Sequence, residues 1–166
     1  MSFPKIAVTR SKIHGRGLFA GQAIKAGTPV IEYAGERITP KEAQRRYPER
    51  ADQPQVAHLL NVDKRTTIDG GVDGNEARYA NHSCDPTCEL LVYKKRVFLI
   101  ALRPLKKGDE VTYDYNLVIH GDVDVPTALK ATACNCGAKT CRRTMLRLDD
   151  DPKALKALKK HREPRP

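Results

Sequence analysis

The sequence predicts a mainly β protein with few short helices and a metal-bound C-terminal segment. Glycine and proline interrupt the first 120 residues at short intervals, and runs rich in β-branched residues lie between them. Three of the five cysteines fall within residues 134–141. With 166 residues, the chain has the size of one domain with a substantial core.

The predicted strands are short apolar runs bounded by turn residues. They cover residues 18–20, 30–32, 58–62, 66–68, 89–93, 97–101 and 111–113. The two runs on either side of Lys94 and Lys95 resemble a β-hairpin.

The start of one helix is well marked. Thr39 is suited to the N-cap, Pro40 to the first helical position and Glu42 to the return contact of a capping box. We expect this helix to end near Tyr47, because Pro48 follows. A second helix is predicted from about Pro152, followed by a frayed basic end. Residues 117–133 show little periodicity and are predicted to form an extended connection or a small insert.

The charge of the chain narrows the classes of partner. The formal net charge is +10 and the pI is about 9.5. Such a charge indicates either an acidic partner such as nucleic acid or merely a solvated basic surface, and charge alone favours neither. The longest apolar run, residues 97–102, is far shorter than the roughly 18 residues of a membrane span, so no membrane insertion is expected. We also expect no signal peptide.

The cysteines favour a metal over disulfides. Their number is odd, which argues against a disulfide framework. Cys134, Cys136 and Cys141 suit one tetrahedral ion, although C-x-C is tighter than the usual C-x2-C spacing. On spacing alone the fourth ligand is either Cys84 or Cys88, and reduced cysteines without a metal are the alternative.

Residues 78–88, R-Y-A-N-H-S-C-D-P-T-C, concentrate polar groups and thiols between predicted strands. Buried polar groups need partners, so this segment points to a cofactor, a metal or both. Nucleophilic catalysis by Cys84 with His82 is a minor alternative, for which no orienting acid is evident.

Five segments occur in a characteristic order: I-H-G-R-G-L-F (13–19), V-I-E-Y-A-G-E (30–36), G-N-E-A-R-Y-A-N-H-S-C-D-P (74–86), G-D-E-V-T-Y-D-Y-N (108–116) and C-x-C-x4-C (134–141). Together they resemble the SET-domain protein lysine methyltransferases with a post-SET zinc motif, and most of all the trithorax-type branch. The resemblance implies a SET fold of small sheets with knot-like threading of the D-Y-N segment. It divides the chain into a SET domain (1–120), a connection with the post-SET motif (121–148) and a basic helix or tail (149–166).

The resemblance implies methyl transfer from S-adenosyl-L-methionine to a lysine side chain. It makes Tyr115 the catalytic tyrosine and places Tyr113 at the family's Phe/Tyr switch, where tyrosine favours mono- or dimethylation. Tyr33 matches a position that lines the lysine channel. Without the resemblance, these tyrosines are ordinary strand aromatics.

The resemblance also implies ligands for the cofactor and for a structural zinc ion. The implied cofactor contacts are His14, Gly15, Arg16, Gly17, Asn81, His82 and Asn135, and the implied zinc ligands are Cys84, Cys134, Cys136 and Cys141. A tight turn at the glycines and a structural role for His82 are the alternatives. Cys88 is then a spare, buried thiol. Two positions depart from the family. His58 falls near a position where the trithorax-type branch has a tyrosine that contacts the cofactor, and Arg143 stands where many members have glycine.

The implied substrate is a histone or a histone-like, DNA-associated protein, with nucleic acid as a further candidate contact. The alternative is a catalytically inactive, zinc-stabilised module that binds nucleic acid or chromatin, against which the intact motifs count. We expect an intracellular protein, in the cytoplasm of a bacterium, or in the nucleus or at chromatin of a eukaryote or host. The sequence does not predict the oligomeric state.

Overall fold

The computed structural model of the chain describes residues 2–48, 58–118 and 125–147. The helix and tail predicted beyond residue 148 lie outside the described residues. In the described part, no helix is both long and apolar enough to cross a membrane.

The described elements are ten strands, two α-helices and one 3-10 turn, which confirms the prediction of a mainly β fold. The strands are β1 (Ile6–Arg10), β2 (Arg16–Ala20), β3 (Pro29–Glu32), β4 (Glu36–Ile38), β5 (Leu59–Asn61), β6 (Thr67–Asp69), β7 (Asn81–His82), β8 (Cys88–Tyr93), β9 (Arg96–Ala101) and β10 (Glu110–Tyr113). The helices are α1 (Pro40–Arg46) and α2 (Val125–Ala131), and the 3-10 turn covers Glu76–Tyr79. The seven predicted strands are all present within a residue or two, whereas β1, β4 and β7 were not predicted.

The strands form three small sheets. One has the order β1-β2-β10-β7, the second β3-β9-β8 and the third β4-β6-β5. In the first sheet, β7 and β10 run parallel, with Asn81 beside Thr112 and His82 beside Tyr113. Parallel neighbours require a long crossover, and β8 and β9 lie in the chain between these two strands. The N-H dipeptide is thereby placed next to the T-Y-D-Y segment.

The β8–β9 hairpin has the two-residue turn that the sequence predicts. Tyr93 pairs with Arg96 across it, and Lys94 and Lys95 have positive φ angles of 48° and 62°. Two central residues with positive φ define a type I′ turn, whose twist matches that of the flanking strands.

Helix α1 begins and ends where predicted. The Thr39 hydroxyl accepts a hydrogen bond from the Glu42 N–H at 3.1 Å, and Pro40 opens the helix. The reciprocal half of the predicted capping box is replaced, because the Glu42 carboxylate accepts hydrogen bonds from the side chains of Arg45 and Arg46. These arginines compete for the carboxylate with a stronger, charge-assisted bond.

Of the two alternatives predicted for residues 117–133, the extended connection is wrong for residues 125–131, because α2 lies there, whereas a small insert agrees with it. It has seven residues, and its residues Ala128 and Leu129 are buried. A helix of two turns is too short to display a full amphipathic repeat, which explains why periodicity did not find it. The Thr132 hydroxyl donates to the Ala128 carbonyl at 2.7 Å and closes its C-terminal end.

One hydrophobic core joins the sheets. Leu18, Val30, Leu99 and Val111 are fully buried in it, and each comes from a different strand. Because side chains alternate between the faces of a strand, burial of these residues fixes which face of the first and second sheets points inward. The ends of β3, β7 and β10 lie at the edge of this core.

Candidate functional site

Three tyrosines lie at the edge of the core. Tyr113 ends β10 and Tyr33 follows β3, and both are buried, whereas Tyr115 is partly exposed. The Tyr113 and Tyr115 rings lie 4.8 Å apart between centroids. The Tyr33 and Tyr115 hydroxyls donate hydrogen bonds to the carbonyls of His58 and Ala80, at 3.1 and 3.0 Å. The structure thus brings the three predicted tyrosines near one another.

Burial raises the pKa of all three phenols. The largest cause is desolvation in each case, and the neighbouring phenol of Tyr115 adds to the rise for Tyr33 and Tyr113. These side chains are therefore neutral over the whole physiological range. They form an aromatic wall that disfavours a charged group beside it.

His82 connects this wall to the cysteines. Its Nδ1 accepts a hydrogen bond from the Tyr115 N–H at 3.1 Å, and its Nε2 lies 3.4 Å from the Cys84 sulfur. An accepting Nδ1 places the proton on Nε2, which donates to that sulfur. Burial lowers the pKa of His82 to about 4, so the ring is neutral. Because Nδ1 accepts and Nε2 donates a hydrogen bond, neither nitrogen is free to take a proton from Cys84, so His82 is poorly placed to activate Cys84 as a nucleophile.

Asn81 shapes the predicted cofactor loop. Its side-chain nitrogen lies 3.0 Å from the Arg16 carbonyl, 3.3 Å from the His14 carbonyl and 2.8 Å from Glu110 Oε1. The Ser11 hydroxyl donates to the same carboxylate oxygen at 2.7 Å. Asn81 is buried, whereas His14 and Arg16 are exposed. Asn81 therefore anchors the backbone of this loop to the interior of the protein.

The glycines of this loop are required by its shape. Gly15 has a positive φ of 45°, and a Cβ atom at Gly17 would lie 2.4 Å from Glu110 Oε1. Only glycine meets the first condition without strain, and only the absence of a side chain meets the second. The G-x-G pattern therefore reflects a left-handed backbone at Gly15 and close packing against Glu110 at Gly17.

Two residues without a predicted role also border the loop. Tyr79 lies between Arg16 and Arg78, whose guanidinium carbons are 4.5 and 5.0 Å from its ring centroid. Both guanidinium groups donate to its hydroxyl, at 3.2 and 3.0 Å. Arg78 and Tyr79 lie inside the 74–86 motif, and this location is the one feature of the sequence that could have marked them as part of the site. A groove of about 370 Å³ opens beside them.

His58 presents an unsatisfied polar atom near the tyrosines. Its buried Nδ1 has no hydrogen-bond partner among the described residues. Burial lowers the pKa of His58, and the charge of Arg78 lowers it further. A neutral imidazole with a free, buried nitrogen is the kind of group that a bound ligand satisfies.

Four thiols converge at the end of β7. The sulfurs of Cys84, Cys134, Cys136 and Cys141 all lie within 4.8 Å of one another. Four sulfurs about 2.3 Å from a tetrahedral zinc ion would lie roughly 3.8 Å apart. The Cys84 sulfur lies 3.8 Å from that of Cys134 and 4.0 Å from that of Cys141, so the geometry fits zinc.

Backbone N–H groups surround the same four sulfurs. The Arg142 N–H points at the Cys84 sulfur and the Cys136 N–H at the Cys134 sulfur. The Cys84 N–H points at the Cys136 sulfur and the Arg143 N–H at the Cys141 sulfur, and all four distances are 3.3–3.5 Å. Such donors stabilise thiolates, the form in which cysteine binds metals. Burial alone would raise the pKa of Cys136, but the N–H groups of Cys84 and Ala138 bring it down to about 6. At Cys84 and Cys134 burial is the larger effect, and the pKa of each thiol is raised.

Cys88 does not belong to this cluster. It is fully buried at the start of β8, and burial raises the pKa of its thiol to about 11. Asn135, between two of the clustered cysteines, is exposed. No hydrogen bond joins it to the described residues around Asn81 and His82, so the structure leaves this predicted contact apart from the others.

An ion pair links the cysteine loop to the tyrosines. The Arg142 guanidinium donates two hydrogen bonds to the Asp114 carboxylate, at 2.6 and 2.8 Å. Asp114 stands between Tyr113 and Tyr115, and Arg142 follows Cys141. The backbone adds a second link, because Leu117 donates to Met145 and accepts from Arg147. The segments that contain the cysteine loop and the T-Y-D-Y-N motif are therefore joined by both side-chain and backbone hydrogen bonds.

The class of protein follows from this arrangement and from its sequence relatives. The family model described as "SET domain" matches residues 15–116. This range covers the glycine loop, the N-H-S-C segment and the tyrosines. The chain belongs to the SET-domain family.

The relatives that it matches are large histone-lysine N-methyltransferases. Trithorax of Drosophila virilis is 37% identical over 142 residues, which cover 83% of this chain and 4% of that protein. Histone-lysine N-methyltransferase 2B of Homo sapiens is 38% identical over 142 residues, 83% of this chain and 5% of that protein. The set1 protein of Dictyostelium discoideum is 38% identical over 148 residues, 85% of this chain and 9% of that protein. The chain thus spans less than a tenth of the length of these relatives, and they support the trithorax-like branch.

Proposed function

We propose that the protein is an S-adenosyl-L-methionine-dependent protein-lysine N-methyltransferase. The observation that carries the proposal is the cluster of Tyr33, Tyr113 and Tyr115 beside His82 and the cysteine cluster. Membership of the SET-domain family and the activity named for its relatives support it.

The reaction needs an uncharged amine. When bound, S-adenosyl-L-methionine would supply a methyl group that is already activated. Free lysine has a pKa of about 10.4, so its deprotonation near pH 7 costs roughly 4 to 5 kcal/mol. A channel walled by neutral tyrosines lowers this cost, because desolvation disfavours the ammonium form. The aromatic wall is suited to that task.

Each tyrosine has its own role in the proposal. Tyr115 orients the amine and the methyl-bearing end of the cofactor, because its ring lies next to both Tyr113 and His82. Tyr113 limits the space for added methyl groups, which favours mono- or dimethylation. Tyr33 lines the channel and excludes water.

The binding groups of the proposal surround the same wall. His14, Gly15, Arg16 and Gly17 would receive the methionine part of the cofactor, Asn81 and His82 the adenosine, and Asn135 would cover it. The unsatisfied Nδ1 of His58 and the glycine-shaped loop fit such a ligand. Cys84, Cys134, Cys136 and Cys141 would hold one structural zinc ion, and the range 121–148 would act as the post-SET segment.

The proposed substrate class is a histone or a histone-like protein. The relatives' names support this class. A histone tail is itself basic, so the +10 charge of the chain does not explain how it would be recognised.

Transfer of a labelled methyl group tests the proposal. The protein is incubated with radiolabelled cofactor and with core histones, histone-like proteins or a cell lysate, and label on protein is counted after filtration. Incorporation into lysine is expected. Absence of transfer together with absence of cofactor binding by calorimetry would refute the enzyme and favour the alternative, a zinc-stabilised module that binds nucleic acid or chromatin.

A further inference from the structure

Two hairpin turns meet at one side of the molecule and form a basic tip. The β8–β9 turn carries Lys94 and Lys95, and the β5–β6 turn carries Lys64 and Arg65. We define the basic tip as these four residues with the neighbouring Arg37 and Arg96, and all six are exposed.

Specific contacts bring the parts of the tip together. The Arg37 guanidinium, on β4, donates a hydrogen bond to the Lys95 carbonyl at 2.5 Å. The pKa of Asp63, in the β5–β6 turn, is lowered mainly by the Arg65 N–H and to a smaller extent by the charge of Lys95. The β8–β9 turn therefore contacts β4 of the third sheet, and the charge of Lys95 reaches the β5–β6 turn of that sheet.

The positive charge of the tip is only partly neutralised. Arg96 forms an ion pair with Glu32, and Asp63 is the acidic residue of the β5–β6 turn. No ion pair holds Lys64, Arg65, Lys94 or Lys95 among the described residues. Four cations are thus available to a partner.

The lysines of the β8–β9 turn occupy positions where lysine is a poor choice for folding. Their φ angles of 48° and 62° are typical of asparagine and glycine, which type I′ turns strongly prefer. A left-handed conformation strains a side chain with a Cβ. Strain of this kind concentrates at sites where a side chain serves another purpose, and here two charges are displayed at the end of a hairpin.

We propose that the basic tip is a docking surface for the phosphate backbone of nucleic acid. Closely spaced, exposed cations at hairpin turns fit a regular row of phosphates. A second copy of this chain, with a net charge of +10, would repel the tip.

The inference goes beyond the proposed methyl transfer and does not depend on it. None of the tip residues belongs to the candidate site. Docking on nucleic acid would bring the protein to lysines of proteins bound to that nucleic acid. It would account for a basic chain acting on a basic substrate.

Replacement of the strained turn provides the test. The variant Lys94→Asn/Lys95→Gly removes two charges and supplies the preferred turn residues, so we expect its melting temperature to equal or exceed that of the wild type. Binding of a fluorescent 20-base-pair DNA duplex is followed by anisotropy between 50 and 200 mM salt. Loss of two phosphate contacts should reduce the slope of log K against log salt by about 1.8 and the affinity at 0.1 M salt by about 60-fold.

A charge-matched control separates the tip from net charge. Lys106→Gln/Lys107→Gln removes two exposed charges from another turn, and its affinity should change far less. Equal losses in both variants, or wild-type affinity and slope in the tip variant, would overturn the proposal. Binding of polyglutamate at the tip without binding of the duplex would also overturn it and indicate an acidic protein. Methylation of a free peptide by the tip variant should match the wild type, which keeps the outcome independent of the enzyme assay.

Discussion

At the scale of single residues, the Tyr115 hydroxyl combines a structural contact with its proposed catalytic one. It donates to the Ala80 carbonyl at 3.0 Å. We expect Tyr115→Phe to lower methyl transfer by about 100-fold or more, in the range typical of a positioned proton-bearing group. Loss of one hydrogen bond should cost only about 1 kcal/mol of unfolding free energy. Cofactor affinity, measured by calorimetry, should change little, and an unchanged transfer rate would contradict the role of Tyr115.

Tyr113 governs the number of methyl groups in the proposed reaction. Tyr113→Phe removes a hydroxyl from a fully packed wall and leaves room for a more substituted amine. We expect its product to shift from mono- and dimethyllysine towards trimethyllysine in mass spectra of a peptide substrate. Efficient trimethylation by the wild type would be incompatible with this role.

Arg143 is strained by its position in the cysteine loop. Its φ angle is 67°, and its N–H and carbonyl contact the Cys141 sulfur and the Cys134 N–H. Because the backbone there must stay left-handed, Arg143→Gly should raise the free energy of unfolding by up to about 1 kcal/mol in urea titrations. Arg10→Gly, in strand β1, should lower it. A decrease for Arg143→Gly would show that its side chain contributes more than its backbone strain costs.

At the scale of elements, the Arg142–Asp114 pair joins the cysteine loop to the end of β10. Both side chains are partly buried, and the geometry is bidentate. A double-mutant cycle with Arg142→Gln and Asp114→Asn should give a coupling of about 1–2 kcal/mol in urea denaturation, with zinc content unchanged.

The exposed pair of Arg103 and Asp85 is a suitable comparison for this cycle. Its side chains are 46% and 62% exposed, and the corresponding cycle should give less than about 0.5 kcal/mol. Equal couplings for the two pairs would mean that the link between the loop and the strand has no special strength.

The elements also show how far local sequence patterns reach. A cap signal predicted α1, and two apolar runs close together in the sequence predicted the β8–β9 hairpin, because both elements depend on neighbouring residues. Strand β7 has two residues and exists only through its parallel pairing with β10, which no local pattern records. The seven residues of α2 were missed because they are too few to show helical periodicity.

The candidate site was predictable to a similar degree. Spacing alone grouped Cys134, Cys136 and Cys141 but left the fourth position open between two cysteines. The family resemblance selected Cys84, and the clustering of its sulfur with the other three agrees with that choice. The Arg142–Asp114 pair and the stacking of Tyr79 escaped prediction, because they arise from the packing of distant segments.

At the scale of the whole molecule, the cysteine cluster ties together parts of the chain 50 residues apart. Elemental analysis should find one zinc ion per chain. Because a structural zinc ion commonly contributes on the order of 10 kcal/mol, chelation should lower both the melting temperature and methyl transfer. Cys88→Ala should leave the zinc content unchanged, since Cys88 lies outside the cluster. A zinc content of zero in the untreated protein would exclude the site.

The separation of the cysteines has a consequence during protein synthesis. Cys84 leaves the ribosome 57 residues before Cys141, and synthesis of these residues takes roughly 3 to 11 s at typical elongation rates. For that interval the nascent chain lacks at least one of the four clustered thiols, so the candidate metal site is incomplete. A metal ion can therefore be held by all four sulfurs only after Cys141 has been synthesised.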